Sequence, residues 1–261
     1  MLRAGPTIYS HRGANLELPE NTIEAFRLAL ELGADAIETD AHMTRDGRIV
    51  LSHDPGLERT AGVTRDIVDS TLEEIRRLDV GARFQPRRPG LFRSGTAYRM
   101  PTLEDALEAC PDVMFNVDAK QTEPDMMPAL LRAIASARAE DRVRVASFST
   151  KNLVRARALG YPGETGLGAK EVARIMFLPK SALRWLRVEG HGVQVPRRAY
   201  GVSFASQSAI DRFHGLGLRV DFWTIDDPAE AERLFAMGAD GVMTDDPRTL
   251  CRARAKASAS S

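Results

Sequence analysis

Two carboxylates two residues apart, Glu38 and Asp40 in "ADAIETDAHM", and two histidines that follow apolar runs, His11 in "IYSHRG" and His53 in "IVLSHD", are the residues best suited to chemistry in this chain. On a β-strand, side chains two apart project from the same face, so Glu38 and Asp40 are forced together. Carboxylates held that close raise each other's pKa unless a cation lies between them. An all-oxygen donor set favours a hard divalent ion, Mg²⁺ or Ca²⁺, over zinc, and Asp118 in "FNVDAK" can supply a third carboxylate. Histidine changes charge near neutral pH, which suits one residue to taking a proton and another to giving one. Arg12 and Lys120 are donors for an oxyanion, Arg as a planar fork and Lys as a point charge. A lone Glu-x-Asp can be a strand edge facing water, and a lone histidine is commonly structural. The convergence of all these residues is what points to a phosphoester held by a metal ion and fixed cations.

They converge only if the elements carrying them end on one side of the fold. Eight β-rich runs, "PTIYS", "ADAIETDAHM", "VMFNVDA", "RVRVASF", "ETGLGA", "HGVQVP", "LRVDFWTI" and "ADGVMTD", alternate with helix-like segments, and "RIVLSH" reads as a hairpin extension of the second run turned at Asp46-Gly47. In "NTIEAFRLALELG", Ile23, Phe26, Leu30 and Ala34 recur at helical spacing, Asn21 or Thr22 can cap the start, and Gly33 follows the last turn. "KEVARIMFLPKSALRWLR" reads as a further helix. Strand–helix alternation implies a parallel sheet, and eight units is the number that closes an α/β TIM (β/α)8 barrel. Such a barrel places its chemistry at the C-terminal strand ends, where His11, Arg12, Glu38, Asp40, His53, Asp118 and Lys120 all fall; Gln194 lies in the sixth run and Trp223 ends the seventh. A doubly wound sheet is the competing arrangement, but no Gly-x-Gly-x-x-Gly follows the first strand. The stretch from about 54 to 100, rich in Arg, Pro and Gly, is too long for an ordinary βα loop and reads as a small subdomain or lid inserted after strand 2. Residues 1–250 then make one catalytic domain, and the small, polar, basic tail 251–261 is expected to be disordered.

The block "SHRGANLELPENTIEAFRLALELGADAIETDAHMTRDGRIVLSHDPGLERTAG" carries H-R-G, P-E-N-T, G-A-D-x-I-E-x-D, T-x-D-G and H-D in order, and resembles the opening of the glycerophosphodiester phosphodiesterases. The likeness continues through "MPTLEDAL", "FNVDAK", "GVQVP", "FWTIDD" and "GADGVMTDDP" to about residue 250. This resemblance implies a TIM barrel with a small insertion after strand 2, one divalent cation, and hydrolysis of glycerophosphodiesters to an alcohol and glycerol 3-phosphate. It implies that His11 and His53 are the acid/base pair, that Glu38 and Asp40 bind the metal, and that Arg12 and Lys120 bind phosphate. The family's third acid is usually Glu; Asp118, one methylene shorter, stands there. In the family's proposed chemistry a glycerol hydroxyl of the substrate attacks phosphorus. Gln194 and Trp223 are taken as substrate-binding, Trp223 offering its face to an alcohol such as choline. Glu20 of P-E-N-T caps, orients or ligates. His42 is placed on the face opposite the paired acids, in a packing or surface role.

Composition narrows the partners. The 261 residues hold 36 Lys and Arg against 36 Asp and Glu, so no global field attracts nucleic acid, and a small-molecule phosphodiester is the expected partner. Cys110 and Cys251 form no Cys-x-x-Cys pair, which argues against a disulfide scaffold or structural zinc. "MLRAGPTIYS" lacks the apolar core of a signal peptide, and no apolar run reaches roughly 18 residues, so the expected location is the cytoplasm. The segment "VARIMFLPKSALRWLRVEG" interleaves apolar side chains with Lys180, Arg184 and Arg187, a pattern for weak membrane-surface contact through 172–188 or for holding an acyl chain. That makes lysophospholipase D the second enzyme reading. An inactive phosphodiester-binding protein is the reading from another class; it requires damage among the catalytic residues, and only Asp118 departs from the pattern. Nothing in the sequence sets an oligomeric state.

Overall fold

Parallel strands with helices between them wind into a barrel. The computed structural model describes residues 5–88 and 91–259. Residues 1–4 of the N-terminal stretch, 89–90 of the insertion and 260–261 of the tail lie outside the described residues. The strands are β1 Thr7–His11, β2 Ala36–Met43, β3 Ile49–Leu51, β4 Met114–Ala119, β5 Val143–Ala146, β6 Gly192–Pro196, β7 Arg198–Ala199, β8 Val202–Ser203, β9 Arg219–Trp223 and β10 Gly241–Thr244. The main sheet runs β5-β4-β2-β1-β10-β9-β6, parallel throughout, with β3 antiparallel on β2 as the hairpin extension. Parallel bridges from Val145 to Thr165 and from Gly166 to Gly192 join β5 to β6 through the "ETGLGA" segment and close the barrel at eight staves. A helix follows each stave, beginning with Ile23–Glu31 and ending with Pro247–Ala259.

Local chemistry sets the helix ends. Thr22 accepts from the Ala25 N–H to cap Ile23–Glu31, and Ala25, Phe26, Leu28 and Ala29 turn inward against the sheet. "KEVARIMFLPKSALRWLR" is two helices, Ala169–Phe177 and Lys180–Leu183, because Pro179 has no N–H to continue the first and starts the second. The apolar core lies between the sheet and the surrounding helices, and includes Ile8, Phe26, Ile37, Phe115 and Phe222.

Inside the barrel the filling is charged. Arg144, 1% exposed, reaches Asp221 at 2.9 Å and Glu164 at 2.6 Å, while Arg219 Nε holds the other Asp221 oxygen at 2.9 Å. Each buried charge thereby has an opposite partner, the condition under which burial is tolerated.

The insertion has little regular structure: helices Glu58–Ala61 and Leu72–Arg76 and a 3₁₀ turn Ile67–Asp69. Its buried Leu57, Ile67, Ile75, Val80 and Tyr98 belong to the same apolar cluster as the barrel, so it packs down beside the rim. The tail differs from expectation: residues 251–259 are helical, with Cys251 buried and Arg254 donating to Gly33 O at 2.8 Å and Asp35 at 3.1 Å. Composition suggested disorder, but a buried side chain and a paired arginine supply the contacts that order it.

Candidate active site

Strand register brings the expected residues together at the C-terminal rim. His11 lies beside Glu38 across β1 and β2, and Asp40 lies beside Asp118 across β2 and β4. The H-R-G triplet is the turn that ends β1. Arg12 takes φ 60° and Gly13 φ 83°, and a Cβ at Gly13 would sit 2.7 Å from the backbone of Ala25, so only glycine lets the turn approach the first helix. That approach aims Arg12 back over the strands, its Nε 3.0 Å from Asp40 Oδ2.

Glu38, Asp40 and Asp118 are all buried. Lys120 Nζ spans two of them, 2.8 Å from Asp40 and 2.6 Å from Asp118. The charges sort the three acids. Burial works against ionising Asp40, but Lys120 and then Arg12 outweigh it and hold the carboxyl below its usual value. For Asp118, burial wins over Lys120 and the pKa rises. Glu38 has neither Lys120 nor Arg12 as an ion-pair partner, only the His11 ring at 3.8 Å, and burial, then Asp40, push its pKa up to about 8.

Glu38 Oε2 and Asp118 Oδ1 are buried without a hydrogen-bond partner. Orphaned carboxylate oxygens in an all-oxygen set are what a hard divalent cation would satisfy, so Glu38, Asp40 and Asp118 fit such an ion by donor chemistry. Among the described residues no group of three or more His, Cys, Asp or Glu side chains already converges as a metal cage. Lys120 Nζ lies against Asp40 and Asp118 at the centre of the three acids.

Each histidine is held by its own carboxylate. His11 Nδ1 is 2.7 Å from Asp245 Oδ1, and its Nε2 faces Glu38 at 3.8 Å. Burial disfavours its charge, but Glu38 and then the Asp245 hydrogen bond overcome this and raise its pKa. His53 Nδ1 is 2.7 Å from Asp54 Oδ1. An acidic partner at Nδ1 fixes the tautomer that leaves Nε2 to exchange a proton.

Asp245, in "GVMTDDP" just past β10, went unassigned in the sequence, although period-2 alternation from Met243, which lines the cavity, places residue 245 on the inner side. Asn15 and the Asp245 backbone N–H, bonded to Asp226 at 2.8 Å, fix its position.

Other expectations resolve as follows. Glu20 makes a two-point ion pair with Arg59 of the insertion, at 2.7 and 2.9 Å, and lies 3.4 Å from Arg12. It orients a cation. Thr22, not Asn21, caps the helix; Asn21 is buried with φ 57°, donates to Asp40 at 3.3 Å and accepts from Thr39 at 2.7 Å. His42 shares the face of Glu38 and Asp40, since 38, 40 and 42 have one parity, and the opposite placement is corrected. It is buried, with Nε2 3.3 Å from the His53 carbonyl, and burial lowers its pKa. Gln194 lines the site, its amide paired with Asn116 across the barrel. Trp223 packs edge-on to Phe148, ring centroids 5.6 Å apart, with Lys120 Nζ 5.5 Å from the Phe148 ring. A cavity of about 580 Å³ includes His11, Arg12, Glu38, Asp40, His53, Asp118, Lys120, Gln194 and Trp223 in its wall. None of its lining residues comes from 54–100; beyond the catalytic rim, residues 146–148, 166–177 and 194–204 wall it.

The profile of the glycerophosphoryl diester phosphodiesterase family matches residues 11–249. The chain belongs to this family. Among its relatives, a glycerophosphodiester phosphodiesterase of Caldanaerobacter subterraneus is 32% identical over 257 residues, covering 93% of this chain and 95% of the relative. A lysophospholipase D of Rattus norvegicus is 27% identical, covering 92% and 83% respectively. The fold matches an Oleispira antarctica phosphodiesterase solved with the product sn-glycerol-3-phosphate, with TM-score 0.76, 23% identity and coverage of 96% of this chain and 97% of that one. Family membership agrees with the barrel and with the H-R-G and E-x-D strand ends. No helix among the described residues is long and apolar enough to cross a membrane.

Proposed function

We propose that this family member hydrolyses glycerophosphodiesters to an alcohol and glycerol 3-phosphate, with His11 and His53 as the proton-transfer pair. The observation that carries the reading is the pairing of each histidine with a carboxylate at Nδ1, Asp245 and Asp54, on the rim that also holds Glu38, Asp40 and Asp118. Two oriented imidazoles are what is needed to take a proton from an attacking hydroxyl and give one to a departing alkoxide. Arg12 and Lys120 receive the non-bridging phosphate oxygens. Lys120 has a third N–H beyond those directed at Asp40 and Asp118, and Arg12 has further guanidinium donors beyond its Nε.

Glu38, Asp40 and Asp118 would hold one divalent cation, Mg²⁺ or Ca²⁺, which when bound neutralises phosphate charge and acidifies an adjacent hydroxyl. This chain's own residues do the rest. Asn21 and Arg12 position Asp40, Glu20 and Arg59 steady Arg12, and Asp245 holds the His11 ring.

The test is release of choline from glycerophosphocholine with Mg²⁺, Ca²⁺ or chelator, on wild type and His11→Ala. Hydrolysis is expected to need the cation and to fall by about 10²–10⁴ in the variant. Turnover that survives both chelation and loss of His11 overturns the assignment.

A further inference from the structure

The two histidines of the proton-transfer pair are held differently. The His11 side chain is 17% exposed and its Asp245 is fixed within the rim, whereas His53 is 38% exposed and Asp54, its neighbour in the chain, 30%. An ion pair so open to water holds little by itself. To keep one geometry, His53 and Asp54 need support from beyond the barrel strands.

The insertion supplies it, although none of the cavity's lining residues comes from 54–100. Arg59 stands on the short helix Glu58–Ala61, which is fixed by the buried Leu57 before it, by Gly62 that ends it in the left-handed conformation, and by a Glu58–Arg83 ion pair of 2.8 Å. Arg59 Nε donates to Asp54 Oδ2, and its two terminal nitrogens donate to the two Glu20 oxygens at 2.7 and 2.9 Å. Asp54 thus gives one oxygen to His53 and the other to Arg59. Burial works against ionising Asp54, but the hydrogen bonds from Arg59 and then His53 outweigh it and hold the carboxyl below its usual value. Glu20 in turn faces Arg12 at 3.4 Å, and Arg12 holds Asp40. A planar guanidinium can span two carboxylates in this way, where the point charge of a lysine cannot.

We propose that Arg59 is a positioning residue that ties the proton-transfer arm, Asp54 and His53, to the phosphate arm, Glu20 and Arg12, so that the insertion acts on the reaction from outside the cavity. This rests on the phosphodiesterase reading and gives the insertion a part in it other than covering substrate.

The test is steady-state hydrolysis of glycerophosphocholine with Mg²⁺ by wild type, Arg59→Ala, Asp54→Asn and the double variant, with Arg83→Ala as control. Arg59→Ala is expected to lower kcat about tenfold through His53 and to raise KM through Arg12. Asp54→Asn is expected to lower kcat about 10–100-fold, and the double variant to match its kcat within about twofold, because Arg59 reaches His53 through Asp54. Arg83→Ala breaks the other ion pair of the same helix and should leave kcat and KM unchanged. A wild-type kcat in Arg59→Ala, losses that multiply in the double variant, or an equal fall in Arg83→Ala overturns the proposal.

Ring ¹⁵N NMR of the histidines at alkaline pH in chelator, with His53 assigned from His53→Gln, reads the same support without turnover. His53 is expected to show one tautomer, protonated at Nδ1, in wild type and a mixture of tautomers in Arg59→Ala, with His11 the same in both. That result supports the role of Arg59 even if no phosphodiester is cleaved, an outcome that would instead sink the phosphodiesterase reading. An unchanged His53 spectrum overturns the proposal.

Discussion

Glu38→Gln is expected to abolish hydrolysis while making the cation-free protein more stable at alkaline pH. Glu38 is 5% exposed, and burial, then Asp40, raise its pKa from 4.5 to about 8. An unfolded glutamate ionises near 4.5, so between pH 4.5 and 8 the folded chain keeps a proton that the unfolded chain has released. Stability therefore falls as pH rises through that window and levels off above it. The difference, 8 − 4.5, at ~1.36 kcal/mol per unit sets a ceiling of ~5 kcal/mol. Local relaxation and entry of water reduce the realised cost, and ~2–3 kcal/mol is expected. In a chain of this size that is roughly 5–10 °C in Tm.

Neighbouring groups keep the sign interpretable. His11, whose pKa is raised, gives stability that is present below its unfolded value and lost as pH climbs through the folded one, so it adds to the same slope. His42, with its pKa lowered by burial, works the opposite way near neutrality and is retained in the variant. Asp40 is held below 3.8, outside the window, whereas Asp118, its pKa raised by burial, adds to the same slope and does so in both proteins.

The assay is thermal unfolding in chelator at about pH 5 and pH 8.5, repeated with Mg²⁺. Wild type should lose those degrees on going alkaline and regain them with Mg²⁺; Glu38→Gln should show a flatter profile and little response to the ion. Parallel pH profiles for the two proteins would refute the picture of a buried carboxylate lacking its cation.

Two further outcomes follow from the same geometry. Asp245→Asn cannot accept from His11 as a carboxylate does, so kcat is expected to fall about 10–100-fold with little change in KM; an unchanged kcat in steady-state assays removes Asp245 from the positioning role. Gly13→Ala combines φ 83° with a Cβ 2.7 Å from Ala25, and should cost at least ~2 kcal/mol, seen as a Tm lower by roughly 4–8 °C; an unshifted Tm means that the H-R-G turn is not sterically dictated.

How much of this was legible depends on what the barrel does to strand ends. In a parallel barrel, residues at the C-terminal ends of neighbouring strands become spatial neighbours, which is why His11, Glu38, Asp40 and Asp118 could be grouped from position alone. The same argument reaches Asp245 if the alternation is carried two residues beyond Met243, but adjacent aspartates at 245 and 246 leave the choice to the path of the chain. His42 needed only parity.

What the sequence could not convey is what each face meets. Nothing local in "RVRVASF" says where its arginines point, and closure of the barrel turns Arg144 inward, where Asp221 and Glu164 receive it. Likewise "VARIMFLPKSALRWLR" reads as one amphipathic helix, but the break at Pro179 ends the first helix at Phe177. Helix Ala169–Phe177 thereby gives Val172, Ala173 and Met176 to the cavity wall, while Trp185, beyond the break, stands 77% exposed outside that lining. A local pattern says which residues share a face. Only the closed fold decides whether that face meets water, core or substrate, and here the Ala169–Phe177 face meets the cavity that ends at Glu38.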